Sequence, residues 1–472
     1  MAGPKCGWQI AAAMIVAACF AATTMRASAQ AVESSDVSTR AVLSLATRSP
    51  DDFLQAWGRR RDASLAAAPD AASRAQVDDA WSAGLIEYAY FHWRETGEKL
   101  TAAWKPREDA IARLSFDATD ANDSDGRQRW ISAWLHDAAW RAEASDPRYR
   151  DGDNRVLRAR IDAILARGMP ESRARALVGK QIAAHIDDNG ARGLDAQVDV
   201  FARLGGDAAT VEGFRKAVAD DAATDAARPA YAYRTVGDVP LYLHASHAPD
   251  GVARPVLLWF HGGSGDSGHW SYCPILCRHA ESLGMLVVQV EYRTAQRFFA
   301  RPDDVRQDAE RALAWVIAHA RAIGADPHRV VTAGFSTGAS MASQLALSAP
   351  GKVRAAVVMS DCVRPGEDAW YRRAYAEAGL REPPAQIALL RRHSPPILLF
   401  HAHDDDECPY PDVVAFRDRA RALGQGSRLV DFESGGHFFV FSQPAARDRI
   451  KRETAQTLVD LRIVPQSAAP TR

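Results

Sequence analysis

Arg329-Val330-Val331-Thr332-Ala333-Gly334-Phe335-Ser336-Thr337-Gly338-Ala339-Ser340-Met341-Ala342 is the stretch on which the reading of this chain turns. Residues 329–333 read as a short buried strand and residues 339–342 as the opening of a helix, so residues 334–338 form a tight strand-to-helix turn. A Gly-x-Ser-x-Gly pentapeptide alone is a weak signal, because average glycine and serine usage produces it by chance in about one long protein in ten. The flanks give it weight. A serine at the apex of such a turn takes a strained backbone, and only small residues fit around it, a need that Gly334 and Gly338 meet. The alternative is an ordinary glycine-rich turn, and residues elsewhere in the chain decide between the two.

Outward from this turn the pattern is strands alternating with helices. Residues 231–236 and 239–245 straddle Gly237-Asp238 as a hairpin. Residues 256–260, 285–290, 353–359, 397–400 and 429–432 read as further strands, and 303–323, 340–348, 411–423 and 444–461 as helices. Apolar strands alternating with helices predict an α/β fold, a mostly parallel sheet covered on both faces. In such sheets the chemistry lies at the carboxyl ends of the strands. Residues from about 37 to 225 differ: Ala, Arg, Asp and Leu recur at three- and four-residue steps without β-branched runs, which predicts an all-α N-terminal region. Trp57, Trp81, Trp93, Trp104, Trp130, Trp134 and Trp140 fall there, and helical spacing assigns them to a packed core in preference to a carbohydrate-stacking surface.

A serine hydroxyl is a poor nucleophile until a base takes its proton. His437, in Ser434-Gly435-Gly436-His437-Phe438, follows the last strand and can serve as that base. The acid that orients it belongs after the preceding strand, where His401-Ala402-His403-Asp404-Asp405-Asp406-Glu407-Cys408-Pro409 offers three adjacent aspartates. The residues alone leave that choice open; the two aspartates not facing the histidine are expected to be solvated or to cap the next helix. An anionic tetrahedral intermediate needs preorganised donors. His261-Gly262-Gly263-Ser264-Gly265 follows the strand ending at Phe260, and the N–H groups of Gly262 or Gly263, with that of Thr337, are the expected oxyanion hole. A phosphate loop is disfavoured, because no Lys-Ser/Thr pair is present there. Serine chemistry of this kind requires no metal and no organic cofactor.

At 472 residues, two domains are the fair expectation, and a formal net charge of −1 gives no reason to expect nucleic acid as a partner. The first residues carry Lys5, an apolar run over 10–22 and Ala27-Ser28-Ala29, the pattern of a cleaved secretory signal. The run is short against the roughly 20 residues of a membrane-spanning helix. Val16-Ala17-Ala18-Cys19 also resembles a lipoprotein box that would anchor the chain through Cys19. An exported location, periplasmic or secreted, favours disulfides. Spacing favours Cys273 with Cys277 and Cys362 with Cys408, the second pair joining the ends of two neighbouring strands. A zinc site is disfavoured, since no Cys-x-x-Cys pair occurs.

Together these residues resemble the esterase branch of the α/β-hydrolase superfamily, which includes hormone-sensitive-lipase-like and acetyl or feruloyl esterases. The resemblance rests on His261-Gly262-Gly263, Glu291-Tyr292-Arg293, Asp326-Pro327-His328-Arg329-Val330, the serine pentapeptide, and residues 401–409, which look like His-Gly-x-x-Asp-x-x-Val-Pro. It places the acid on Asp405 and implies a Ser336-Asp405-His437 triad cleaving esters, of small molecules or linked to polysaccharide, through an acyl-serine. Ser264, Ala339 and Ala402 replace glycines of the pattern. Residues 363–393 look like an insertion over the site. The expected organisation is a signal peptide (1–29), a helical domain of unknown role (30–228) and an α/β-hydrolase catalytic domain (229–472). Two other readings are a serine exopeptidase of prolyl-oligopeptidase type and a catalytically silent hydrolase-like binding protein. Against the first, the helical half holds no blade-like run of strands; against the second, every triad residue type is present.

Overall fold

The computed structural model describes residues 36–100, 104–116, 123–273, 275–349, 351–364, 369–377, 379–382 and 384–468. The expected signal segment and Cys19 lie outside the described residues. Among the described residues no helix is long and apolar enough to cross a membrane.

By packing, the chain divides into two compact units. Of the described residues, one unit gathers those up to Asp187, Gly193–Lys216 and 369–373; the other gathers Asp188–Arg192, those from Ala217 to 364, and those from Ala374 to 468. Helices Glu171–Asn189 and Ala208–Ala226 are thus each shared between the two.

The first unit is helical. Its helix starts are written in the sequence: Ser38, Ser49, Asp70 and Ser124 each accept a backbone N–H from the first turn that follows, supplying a partner that the helix itself cannot. Trp57, Trp130 and Trp134 are buried and the other four tryptophans partly so. Trp57 donates its indole N–H to the Trp81 carbonyl at 3.0 Å. These tryptophans fill a core, as their spacing predicts.

The second unit is built on an eight-stranded sheet: β1 (Ala230–Val236), β2 (Val239–Ala245), β3 (Arg254–Phe260), β4 (Leu286–Val290), β5 (Ala325–Phe335), β6 (Ala355–Met359), β7 (Ile397–Ala402) and β8 (Arg428–Phe432). The spatial order is β1-β2-β4-β3-β5-β6-β7-β8. β2 runs antiparallel to β1 and β4, and every other pair is parallel. Val256, Leu258, Phe260 and Val330 enter one core layer, while Leu257, Trp259, Val331 and Ala333 enter the other. Neighbouring residues of a strand point to opposite faces, so burying both faces demands near-continuous apolar runs.

Helices Leu276–Ser282 and Ala369–Glu377 have no counterpart among the expected elements, and two expected elements differ in form. β5 starts at Ala325, four residues upstream of the predicted 329, and its pairing with β3 is irregular there. Pro327 has no N–H to give the ladder, and the Asp326 carboxylate takes the N–H of His328 and pairs with Arg329 at 2.6 Å. The single helix expected over 303–323 is two, Pro302–Ala318 and Ala320–Ile323, broken at His319.

Candidate active site

The predicted turn is a sharp elbow. Ser336 takes φ +53° and ψ −124°, between β5 and helix Thr337–Ser348. A residue with a Cβ is strained in this region, at a cost of about 1–3 kcal/mol. The elbow is closed by backbone contacts: a Cβ on Gly334 would stand 2.2 Å from the Gly338 carbonyl oxygen, and one on Gly338 would stand 2.2 Å from that of Phe260. The flanking glycines are therefore demanded by space. The Ser336 N–H donates to the Met359 carbonyl at 3.0 Å, tying the elbow to the end of β6.

Three groups carried on different strand ends meet here. Ser336 Oγ donates to His437 Nε2 at 2.8 Å, and His437 Nδ1 donates to Asp405 at 3.1 Å and 3.0 Å from its two carboxylate oxygens. All three residues are buried. Burial alone would push the His437 pKa down, but the hydrogen bond and charge of Asp405, with the charges of Glu407 and Asp406, outweigh it and the net shift is upward. Burial likewise pushes Asp405 up, and the His437 bond, the charges of His437 and His401 and the Cys408 N–H carry it below its ordinary value. The chain can pass a proton from hydroxyl to imidazole while the carboxylate fixes the tautomer.

Other residues of the 401–409 segment support this arrangement. Asp404 accepts the N–H groups of Gly435 and Gly436, at 3.1 and 2.8 Å. It is solvent-exposed, as expected, and also clamps the loop that carries His437. Asp406 is exposed. The Asp405 carboxylate also accepts the N–H groups of Glu407 and Cys408. His401 Nε2 donates to the Cys408 carbonyl at 2.8 Å and stands 3.3 Å from Asp405. Glu407, which no motif singles out, brings Oε2 to 3.5 Å from His437 Nε2. Ser360, at the end of β6 with φ +52°, donates its hydroxyl to the His437 carbonyl at 2.8 Å. Only its place at a strand end could have marked it.

The loop after β3 is held from several sides. Tyr292 stacks on the His261 ring and donates its hydroxyl to the His261 carbonyl at 2.8 Å. Burial drives the His261 pKa down to about 3, so this ring is neutral, and its Nδ1 donates to the Gly262 carbonyl. The Gly263 carbonyl accepts from Asp266 and Ser267. A Cβ on Gly263 would lie 2.2 Å from the Ser267 carbonyl oxygen. Ser264 adopts φ +58°, the left-handed region that the glycine of the family pattern enters freely. With these carbonyls engaged, no acceptor among the described residues takes the N–H of Gly262, Gly263 or Thr337. Glu291 is buried and paired with Arg297 and Arg192, and Arg293 pairs with Asp308 and Asp304. The Glu-Tyr-Arg motif thus braces the loop from β4.

Both expected cysteine pairs lie at disulfide distance, with Cα–Cα separations of 5.8 Å for Cys273–Cys277 and 4.7 Å for Cys362–Cys408. Asp405, Cys408 and His437 also converge within 4.8 Å, the one such set among the described residues that could suggest a metal. The Cys408 sulfur is committed to Cys362 and His437 Nδ1 to Asp405, so this donor set does not fit an ion. For the insertion after β6, helix Ala369–Glu377 and turn Gln386–Leu389 are described, while the side chains of Trp370 and Tyr371 lie outside the described residues.

Strand order, the antiparallel second strand and the placing of these groups after β5, β7 and β8 give the C-terminal half the α/β-hydrolase fold. Residues 257–407 match a family described as alpha/beta hydrolase fold. Esterase LipI of Mycobacterium tuberculosis is 38% identical over 99 residues, 21% of this chain and 30% of that protein. Lipase 2 of a Moraxella species is 35% identical over 94 residues, 19% and 21% of the two chains. This chain therefore spans less than a third of either relative. Thermogutta terrifontis esterase 2 in its apo form superposes with a TM-score of 0.47 and 23% identity, covering 52% of this chain and 98% of that one.

Proposed function

We propose that the C-terminal unit is a serine hydrolase that cleaves carboxylic esters through an acyl-serine intermediate. The observation that carries this reading is the hydrogen-bonded series Ser336–His437–Asp405 with its serine on a strained elbow. His437 takes the Ser336 proton as Oγ attacks the ester carbonyl, then returns it to the leaving alcohol. Asp405 holds the imidazole tautomer and offsets the positive charge that forms. The N–H groups of Gly262 or Gly263 and Thr337 receive the oxyanion. The esterase and lipase names of the partial relatives agree with ester cleavage. Disulfide-distance cysteines agree with an oxidising, exported location. The substrate is an ester of a small molecule or one attached to a polysaccharide.

The test is an activity panel on the purified protein: p-nitrophenyl esters of graded acyl length, acetylated xylan and aminoacyl amides. Ester turnover that Ser336→Ala lowers by something on the order of 10⁶-fold is the expected result. Preferential amide cleavage overturns the ester reading, and a loss below tenfold removes Ser336 from the nucleophile's role.

A further inference from the structure

We propose that Glu407 orients the hydrolytic water in the second half of the reaction, and so favours hydrolysis over transfer of the acyl group to alcohols. This rests on the acyl-serine reading above.

Three observations meet at this side chain. Its Oε2 stands 3.5 Å from His437 Nε2, the same nitrogen that receives the Ser336 hydroxyl at 2.8 Å. The space beside Nε2 is where the leaving alcohol departs and where water must enter. The carboxylate is mostly withdrawn from solvent, with 16% of the side chain exposed. Among the described residues, no side-chain or backbone donor hydrogen-bonds to it. Its oxygens are not among the fully enclosed polar atoms, so a water can reach them and supply the missing donor. Burial also lifts its pKa above the ordinary range, against the pull of His437, which makes it a stronger proton acceptor.

Water differs from an alcohol in having two protons to give. With Ser336 acylated, a water can direct one O–H to His437 Nε2 and the other to Glu407, which turns a lone pair on the acyl carbon. The water oxygen bonds to that carbon while its first proton passes to Nε2. The C–Oγ bond then breaks as Oγ recovers the proton from Nε2. The second proton leaves on the carboxylic acid product and is lost to solvent, so Glu407 begins and ends the step ionised. An alcohol can make only the first of the two hydrogen bonds, and its carbon substituent is directed at the carboxylate.

The test compares wild type with Glu407→Gln and Glu407→Ala on p-nitrophenyl acetate, alone and with added methanol. Both variants are expected to lower kcat by on the order of tenfold, from loss of a hydrogen bond to a charged acceptor. kcat/KM, which reports acylation, stays within about twofold, and a pre-steady-state burst of p-nitrophenol grows. The ratio of methyl acetate to acetate rises severalfold. Equal falls in kcat and kcat/KM with an unchanged product ratio assign Glu407 to supporting His437 and overturn the inference. So does a loss of activity traced to misfolding in Glu407→Ala while Glu407→Gln behaves as wild type. Absence of ester turnover in the wild type sinks the esterase reading and this inference together, and is distinguished by that.

Discussion

At the scale of single residues, the direction of two pKa shifts has consequences that can be measured. In the proposed mechanism His437 must be neutral to accept the serine proton, and its environment holds the pKa above the ordinary histidine value. The acid limb of kcat/KM is therefore expected to lie above about pH 6.5, with activity lost as pH falls through it. Asp405→Asn removes the chief source of that upward shift. It should move the limb to lower pH while cutting the rate by on the order of 10⁴; an acid limb that stays put in the variant argues against Asp405 as the partner. Asp361 carries the second shift. It is fully buried beside Ser340 and Gln386, and burial pushes its carboxyl up to about 6 despite their hydrogen bonds. The folded state thus holds a proton that the unfolded chain gives up near pH 4. The linked stability is fully present below about pH 4 and is lost as pH rises to about 6, a fall of about 3 kcal/mol. Asp361→Asn should flatten this part of the stability curve, read from urea titrations across the range. Ser336 and His437 were legible because each stands in a short local pattern at a strand end. Asp405 was legible only through resemblance, since three adjacent aspartates are equivalent until a fold turns one of them inward. Asp404, Glu407 and Ser360 bridge segments distant in sequence, and apart from the strand-end position of Ser360 nothing local marks them.

Among elements, the strand-to-helix elbow is the most tightly determined. Gly338→Ala places a methyl 2.2 Å from the Phe260 carbonyl oxygen and 2.4 Å from that of His261. These atoms belong to a central strand and its exit and cannot withdraw without breaking sheet pairing. A loss of about 3 kcal/mol or more is expected, as for other core overpacking; a melting temperature within a degree of wild type shows that the elbow yields more than its geometry implies. The strands of the sheet unit were legible, because burying both faces demands unbroken apolar runs, whereas short helices such as Leu276–Ser282 carry too few turns to show a period. Boundaries were less so. The start of β5 depends on how Asp326 and Pro327 settle their hydrogen bonds, and the break at His319 has no glycine or proline to announce it.

For the molecule as a whole, the composition change near residue 228 suggests a cut that packing does not follow. Asp188–Arg192 and the chain from Ala217 group with the sheet. Arg192 meets the buried Glu291 carboxylate, Asp221 pairs with His269 at 3.1 Å, and Asp225 accepts the Trp270 indole N–H at 2.8 Å. All three contacts fall on the loop after β3 or on the strand that braces it. A fragment beginning at residue 229 leaves the buried Glu291 with Arg297 but without Arg192, and strips His269 and Trp270 of their carboxylate partners. It is expected to be insoluble or to melt well below the full chain. A soluble fragment with the full chain's melting behaviour refutes that expectation. Composition could not reveal this arrangement, because a helix shared between two units has the same amphipathic pattern along its whole length.

The conformation of Ser336 also bears on how this fold trades durability for chemistry. A residue without a side chain enters φ +53° freely, whereas serine is strained there. Ser336→Gly should therefore give a protein inactive on esters yet more heat-resistant than its parent, by about 1 kcal/mol in unfolding free energy. If so, selection acting on robustness alone would steadily erase the hydroxyl, and its presence in the chain records a use that outweighed that pressure.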